Sequence, residues 1–241
     1  MTRPAKRALT RPKRRAAAVT KQTSSAVRRP KLLLREALRP PPRQRRSLEG
    51  RARLKAAALE LFRERGYAGT SIDDIAARAR LAVGGFYLQF RSKRQLLVVL
   101  MDDFVGALNE IDLRLDASSD PRAALRDLLS RAFSSDLHYL GAYRAWQEAI
   151  LTDADLAGKQ RRIHAWTTAR VLRAFTSLQT LPGARTGVDV HALARVMDTF
   201  FWALLGEALR LPTIELHRWL DSATHLVFHA LFVDEPRGRM S

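Results

Sequence analysis

The residues of this chain best suited to chemistry fall into two clusters within its first hundred positions. Gly84 and Gly85 stand together in residues 83–90, where Phe86, Tyr87 and Phe90 otherwise follow one side of a helix. Two glycines inside a helix cost roughly 2 kcal/mol relative to two alanines. A flexible hinge or a plain loop would explain the pair. So would a bare helix surface whose backbone must approach a flat partner such as a DNA groove. The second cluster follows at once. Ser92-x-x-Gln95 has the pattern of a helix-capping box, yet Lys93 and Arg94 occupy its first turn, where cations oppose the helix dipole. Two cations beside free N–H groups make sense if an external anion, a phosphate, binds at that helix start.

Other constellations are weaker. His225 and His229 stand at i, i+4, a spacing able to bind metal, but no third ligand is evident, and satisfied or exposed histidines are the better reading. The absence of cysteine excludes a disulfide scaffold, a cysteine nucleophile and a thiolate metal site. No Walker-A loop, dinucleotide fingerprint, G-x-S-x-G elbow or H-E-x-x-H motif is present. The expectation is a protein that is not an enzyme and has no cofactor and no metal. The longest uninterrupted apolar stretches, 96–101 and 200–205, fall well short of the roughly 20 residues that a membrane span needs, so no membrane partner is expected.

The elements that must position these clusters have a helical period. Leu54, Ala57, Ala58, Leu61 and Phe62 share one helix face, which Gly66 ends. A second helix starts at Thr70 or Ser71, with Asp73 and Asp74 offering a capping box and favourable charge. It buries Ile72, Ile75, Ala76 and Ala79. Three residues, 80–82, separate it from the glycine-bearing run. Two short helices joined by so tight a turn describe a helix-turn-helix. Helical periodicity continues beyond residue 100 with no convincing strand, so the fold class expected is all-α.

Charge divides the chain. Residues 1–46 hold 16 Lys and Arg against the single acid Glu36, within a total net charge of +18. Six of the ten prolines also lie there, and no aromatic residue does. Such a segment buries too little apolar surface to offset its ordering entropy, so residues 1–46 are expected to be a disordered basic tail, with at most a transient helical turn or two at 31–39. A nucleic-acid-binding arm, an over-extended translation start and a targeting segment are the three readings of that tail. Residues 47–97 form the helix-turn-helix module, 98–233 a larger, nearly neutral helical module carrying all four tryptophans, and 234–241 a disordered C-terminus.

Residues 54–97 resemble the DNA-binding domain of the tetracycline-repressor (TetR) family of bacterial regulators. The matching elements are Ala57–Leu61–Phe62, Gly66–Tyr67, Thr70–Ser71, Ile75–Ala76, and above all Gly85–Phe86–Tyr87 followed by Phe90-x-Ser92–Lys93. Two positions depart from the pattern: Arg80 replaces the common glycine ending the second helix, and Ala82 replaces the usual serine or threonine cap of the third. Losing that cap costs about 1 kcal/mol. The resemblance implies that Tyr87, Lys93 and Thr70 or Ser71 contact phosphates. The outward face of the third helix (Val83, Gly84, Gly85, Leu88 and Gln89) would meet base edges, and Gln89 alone could pair bidentately with adenine.

For the larger module the resemblance implies a small-molecule pocket and dimerisation through two last helices, near 188–210 and 213–232. Pocket candidates are Phe104, Phe133, His138, Tyr143, Trp146 and Trp166, although for any single one of them core is the commoner reading. The expected partners are double-stranded operator DNA, a second copy of the chain and a largely apolar effector. The expected role is that of a cytoplasmic homodimeric repressor, nucleoid-associated when bound. A nucleoid protein without sequence preference is the rival, but it would not need a large neutral module rich in tryptophan.

Overall fold

The computed structural model describes residues 28–38, 44–113, 120–134 and 137–233, and all statements of structure concern these. Helix α1 spans Arg45–Arg65, α2 Ile72–Arg78, α3 Val83–Gln89 and α4 Lys93–Glu110. They are followed by α5 (Pro121–Ser134), a short 3₁₀ turn (Leu137–Tyr139), α6 (Leu140–Ala149), α7 (Ala154–Leu178), α8 (Val190–Glu207) and α9 (Thr213–Leu231). No strand occurs among the described residues beyond one isolated bridge, Ala184 to Phe232. The class is all-α.

The periodic residues of α1 do what their spacing demands. Leu54, Ala58 and Phe62 are fully buried, and Gly66 closes the helix at φ 72°. The main core runs from α1 through α4 to α6 and includes Leu97, Met101, Phe104, Ala145 and Trp146. One contact fixes the relation between the small and large modules. A Cβ at Gly141 would overlap the backbone carbonyl of Leu59, so α6 rests main chain to main chain on α1. A second core joins α5, α7, α8 and α9 around Leu125, Phe175, Val227 and Leu231.

The expectation of a disordered tail reaching residue 46 needs correction over 28–38. This stretch forms a strap on the body, turning at 32–35, with Leu32 fully buried. Arg29 pairs with Asp102 of α4, and Gln95 donates to the Ala37 carbonyl at 2.9 Å. Glu36 accepts from Arg94 at 3.1 Å and meets the buried Lys159 at 3.2 Å. Composition misled here because a short segment needs no core of its own when a neighbouring surface supplies one. Helix α1 also begins inside the expected tail, at Arg45. Residues 1–27, 39–43 and 234–241 lie outside the described residues.

Candidate DNA-binding interface

Helix α2 starts at Ser71, whose side chain accepts from the Asp74 amide at 3.0 Å, while Asp74 accepts from the Ser71 amide at 3.0 Å. Those bonds from Ser71 hold the Asp74 carboxyl below its ordinary pKa. The turn to α3 passes through Arg80 at φ 55°, the left-handed region that explains why glycine suits this position. Ala82 precedes α3 without a side-chain cap. Phe86 and Phe90 are fully buried and Arg51 lies over the Phe90 ring, so α3 is held by its aromatic side.

The opposite side of α3 faces outward. Val83, Gly84, Tyr87 and Leu88 are exposed, Leu88 to 71%, and Gly85 is half-buried against Leu81. A Cβ at Gly84 would meet nothing within 4 Å. No packing requirement of the chain itself therefore explains that glycine.

Four residues assigned to phosphate or base contact by sequence are engaged differently. Thr70 is buried, and its hydroxyl donates to the Gly66 carbonyl at 2.8 Å, closing the α1–α2 turn. Gln89 is not on the outward face; it is buried and donates to the Ser47 hydroxyl at 2.8 Å. Lys93 donates to the carbonyls of Tyr67 at 2.7 Å and Thr70 at 2.6 Å, and burial lowers its pKa. Arg94 is occupied by three carboxylates, Asp153 and Asp155 at 2.6 Å each and Glu36. The cations at the start of α4, which suggested an external anion, are thus satisfied from within. Their partners arrive from the α1–α2 turn, the strap and α7, none of which local spacing could reveal. Ser71 is exposed, as its assigned role requires.

A residue that sequence reasoning missed holds the same turn. Glu148 of α6 accepts from the amides of Tyr67 at 2.7 Å and Ala68 at 3.2 Å. A Cβ at Gly66 would overlap its carboxylate.

The pocket candidates disperse. Phe104, Tyr143 and Trp202 form one aromatic group, with Tyr143 stacked on Trp202 at 5.4 Å and donating to its carbonyl at 3.0 Å. Burial pushes the Tyr143 phenol up to about 12. Trp146 is fully buried and donates to Gln160 at 2.7 Å, which continues through His164 to Asp198. Trp166 is buried too, with Arg170 over its ring. His138 is exposed, with its ring edge-on to Tyr139 at 4.9 Å. Phe133 lies on α5, with its side chain outside the described set. Tyr143 lines a sizeable cleft, of about 720 Å³, between α1, α6 and α8. His225 and His229 lie ring to ring at 4.1 Å, and no group of three metal-binding side chains occurs among the described residues.

Comparison with known proteins places this geometry. Residues 54–100 match the family of bacterial regulatory proteins described as tetR. The HTH-type transcriptional repressor Rv3405c of Mycobacterium tuberculosis is 30% identical over 186 residues, covering 66% of this chain and 97% of that protein. The HTH-type regulator YuxN of Bacillus subtilis is 31% identical over 83 residues, and this chain spans only 28% of its length. Among solved structures, the SmeT–triclosan complex shares the fold with a TM-score of 0.59 at 22% identity, over 77% of this chain and 92% of that one. The helix-turn-helix at 72–89, the helical body behind it and the near full-length match to Rv3405c lead to one assignment: the chain belongs to the tetR family of bacterial regulatory proteins, which are transcriptional regulators and not enzymes.

Proposed function

We propose that the chain is a homodimeric repressor that holds an operator of two half-sites and leaves it when a small molecule binds. The outward face of α3 carries this reading. Val83, Gly84, Tyr87 and Leu88 are exposed there, and Gly84 leaves the backbone open to close approach. Tyr87 and Ser71 supply phosphate contacts, and Lys93 adds the one N–H that its two carbonyl partners leave over. Gln89 reads a base by exchanging its bond to Ser47 for one to adenine.

Exposed apolar residues on the last two helices, Val196 on α8 with Trp219 and Leu226 on α9, support pairing with a second copy. The name of Rv3405c supports repression, and the triclosan complex of SmeT supports response to a largely apolar molecule. No described helix is long and apolar enough to cross a membrane, and the proposed place of action is the cytoplasm, at the nucleoid when bound. Release is a population shift: the effector favours a spacing of the two α3 helices that no longer fits successive grooves.

Selection from random DNA, followed by titration of the unchanged chain and of Gly84→Ala, tests the reading. A near-palindromic site should be enriched. Gly84→Ala should stabilise the free protein by about 1 kcal/mol yet weaken operator binding about tenfold, because its methyl stands in the contact. No enriched site, or undiminished binding by Gly84→Ala, overturns it.

A further inference from the structure

We infer that the cleft between α1, α6 and α8 is an effector site for an organic anion with an apolar body. Arg63, Arg144 and Arg210 line it, facing Glu148 and Glu207, with Tyr143 and Leu209 among its apolar residues. Its volume of about 720 Å³ suits a small organic molecule. Two carboxylates against three guanidinium groups leave the cleft with an excess of positive charge. Glu148 commits one oxygen to the Tyr67 and Ala68 amides and reaches Arg144 only at 3.6 Å. Glu207 meets Arg210 at 3.6 Å, with the arginine 78% exposed. Arg63 makes no side-chain hydrogen bond or ion pair among the described residues. A carboxylate or similar head group would therefore find donors at the rim, and its apolar body would find Tyr143 and Leu209.

The inference deepens the reading of a ligand-released repressor, because the cleft is wired to the DNA-binding module. Arg144 donates to the Arg63 carbonyl at 2.7 Å, capping the end of α1. One turn further along α6, Glu148 holds the α1–α2 turn that Lys93 and Thr70 also close. An anion that draws Arg144 toward itself removes the cap and frees Glu148 from its cation. The turn carrying α2 and α3 is then held differently, so operator and anion must weaken each other's binding.

The test uses the full chain and four probes, octanoate and benzoate with their uncharged amides, followed by tryptophan fluorescence without DNA. At least one carboxylate should bind saturably below about 1 mM, and its amide at least about tenfold more weakly. Replacing the exposed arginines together, Arg63→Gln with Arg210→Gln, should cost about tenfold in carboxylate affinity with the melting temperature unchanged. Arg144→Ala adds loss of the α1 cap, so it serves only as a second variant, read by whether its carboxylate affinity falls further. Amides that bind equally, no saturable binding by either carboxylate, or a double variant of unchanged affinity overturns the site. Carboxylate binding by a chain that selects no DNA upholds the site and sinks the repressor reading; operator binding without carboxylate binding does the reverse.

Discussion

Arg80 and Ala82 depart from the family pattern, and each leaves a local deficit that a single change should remove. Arg80 sits at φ 55°, where a Cβ costs about 1–2 kcal/mol, partly offset in a glycine variant by greater freedom of the unfolded chain. Arg80→Gly should therefore raise stability by about 0.5–1 kcal/mol. Ala82→Ser supplies the missing cap to α3 and should add about 1 kcal/mol. Denaturant unfolding of the two variants checks both values, and a loss of stability in either would refute its local account. Caps and buried aromatics were legible in sequence because their causes lie within four residues: Ser71, Ser92, Phe86 and Phe90 all behave as their spacing requires. The internal partners of Gln89, Thr70 and Lys93 were not legible because Ser47 and the carbonyls of the α1–α2 turn come from other elements. Residue type alone does not say whether a donor is free.

At the scale of elements, the strap and the start of α7 clasp the first turn of α4. Arg94 and the buried Lys159 share Glu36, Asp153 and Asp155. Burial is the largest single influence and works to raise the pKa of both aspartates, but Arg94 together with backbone amides at Asp153 and with Lys159 at Asp155 outweighs it and holds each below its ordinary value. A depressed carboxylate stabilises the fold above its unfolded pKa, near 3.9, and loses that contribution as pH falls through the lower folded value. The melting temperature should thus drop as pH is taken below about 4, and Asp155→Asn should flatten that dependence. An unaltered pH profile in Asp155→Asn would show that the clasp contributes nothing. The helices themselves were legible from period and punctuation; the last two were expected near 188–210 and 213–232 and are found at Val190–Glu207 and Thr213–Leu231. The clasp was not, because Glu36 looked like an isolated acid in a basic tract until the fold brought Lys159 to it.

For the whole molecule, the strap divides what composition presented as one tail. Residues 1–27 carry eight Lys and Arg and no acid, whereas 28–38 belong to the body. Removing residues 2–27 should flatten the dependence of log K on log salt by about 0.9 for each phosphate no longer neutralised, with the melting temperature unchanged. Removing 2–46 should lower the melting temperature as well, since Leu32 and the Glu36 bonds go with it. A salt titration beside a thermal melt separates the two effects, and identical slopes would show that the first 27 residues do not touch DNA. The seam at Gly141 has a consequence for heredity. Every replacement of that glycine brings a Cβ, and what the new atom strikes is a main-chain oxygen, that of Leu59. No trimming of the facing side chain can make room, so a second-site revertant cannot arise at residue 59 by size compensation. Rescue must come from changes that move α6 bodily, so codon 141 should tolerate no replacement, alanine included.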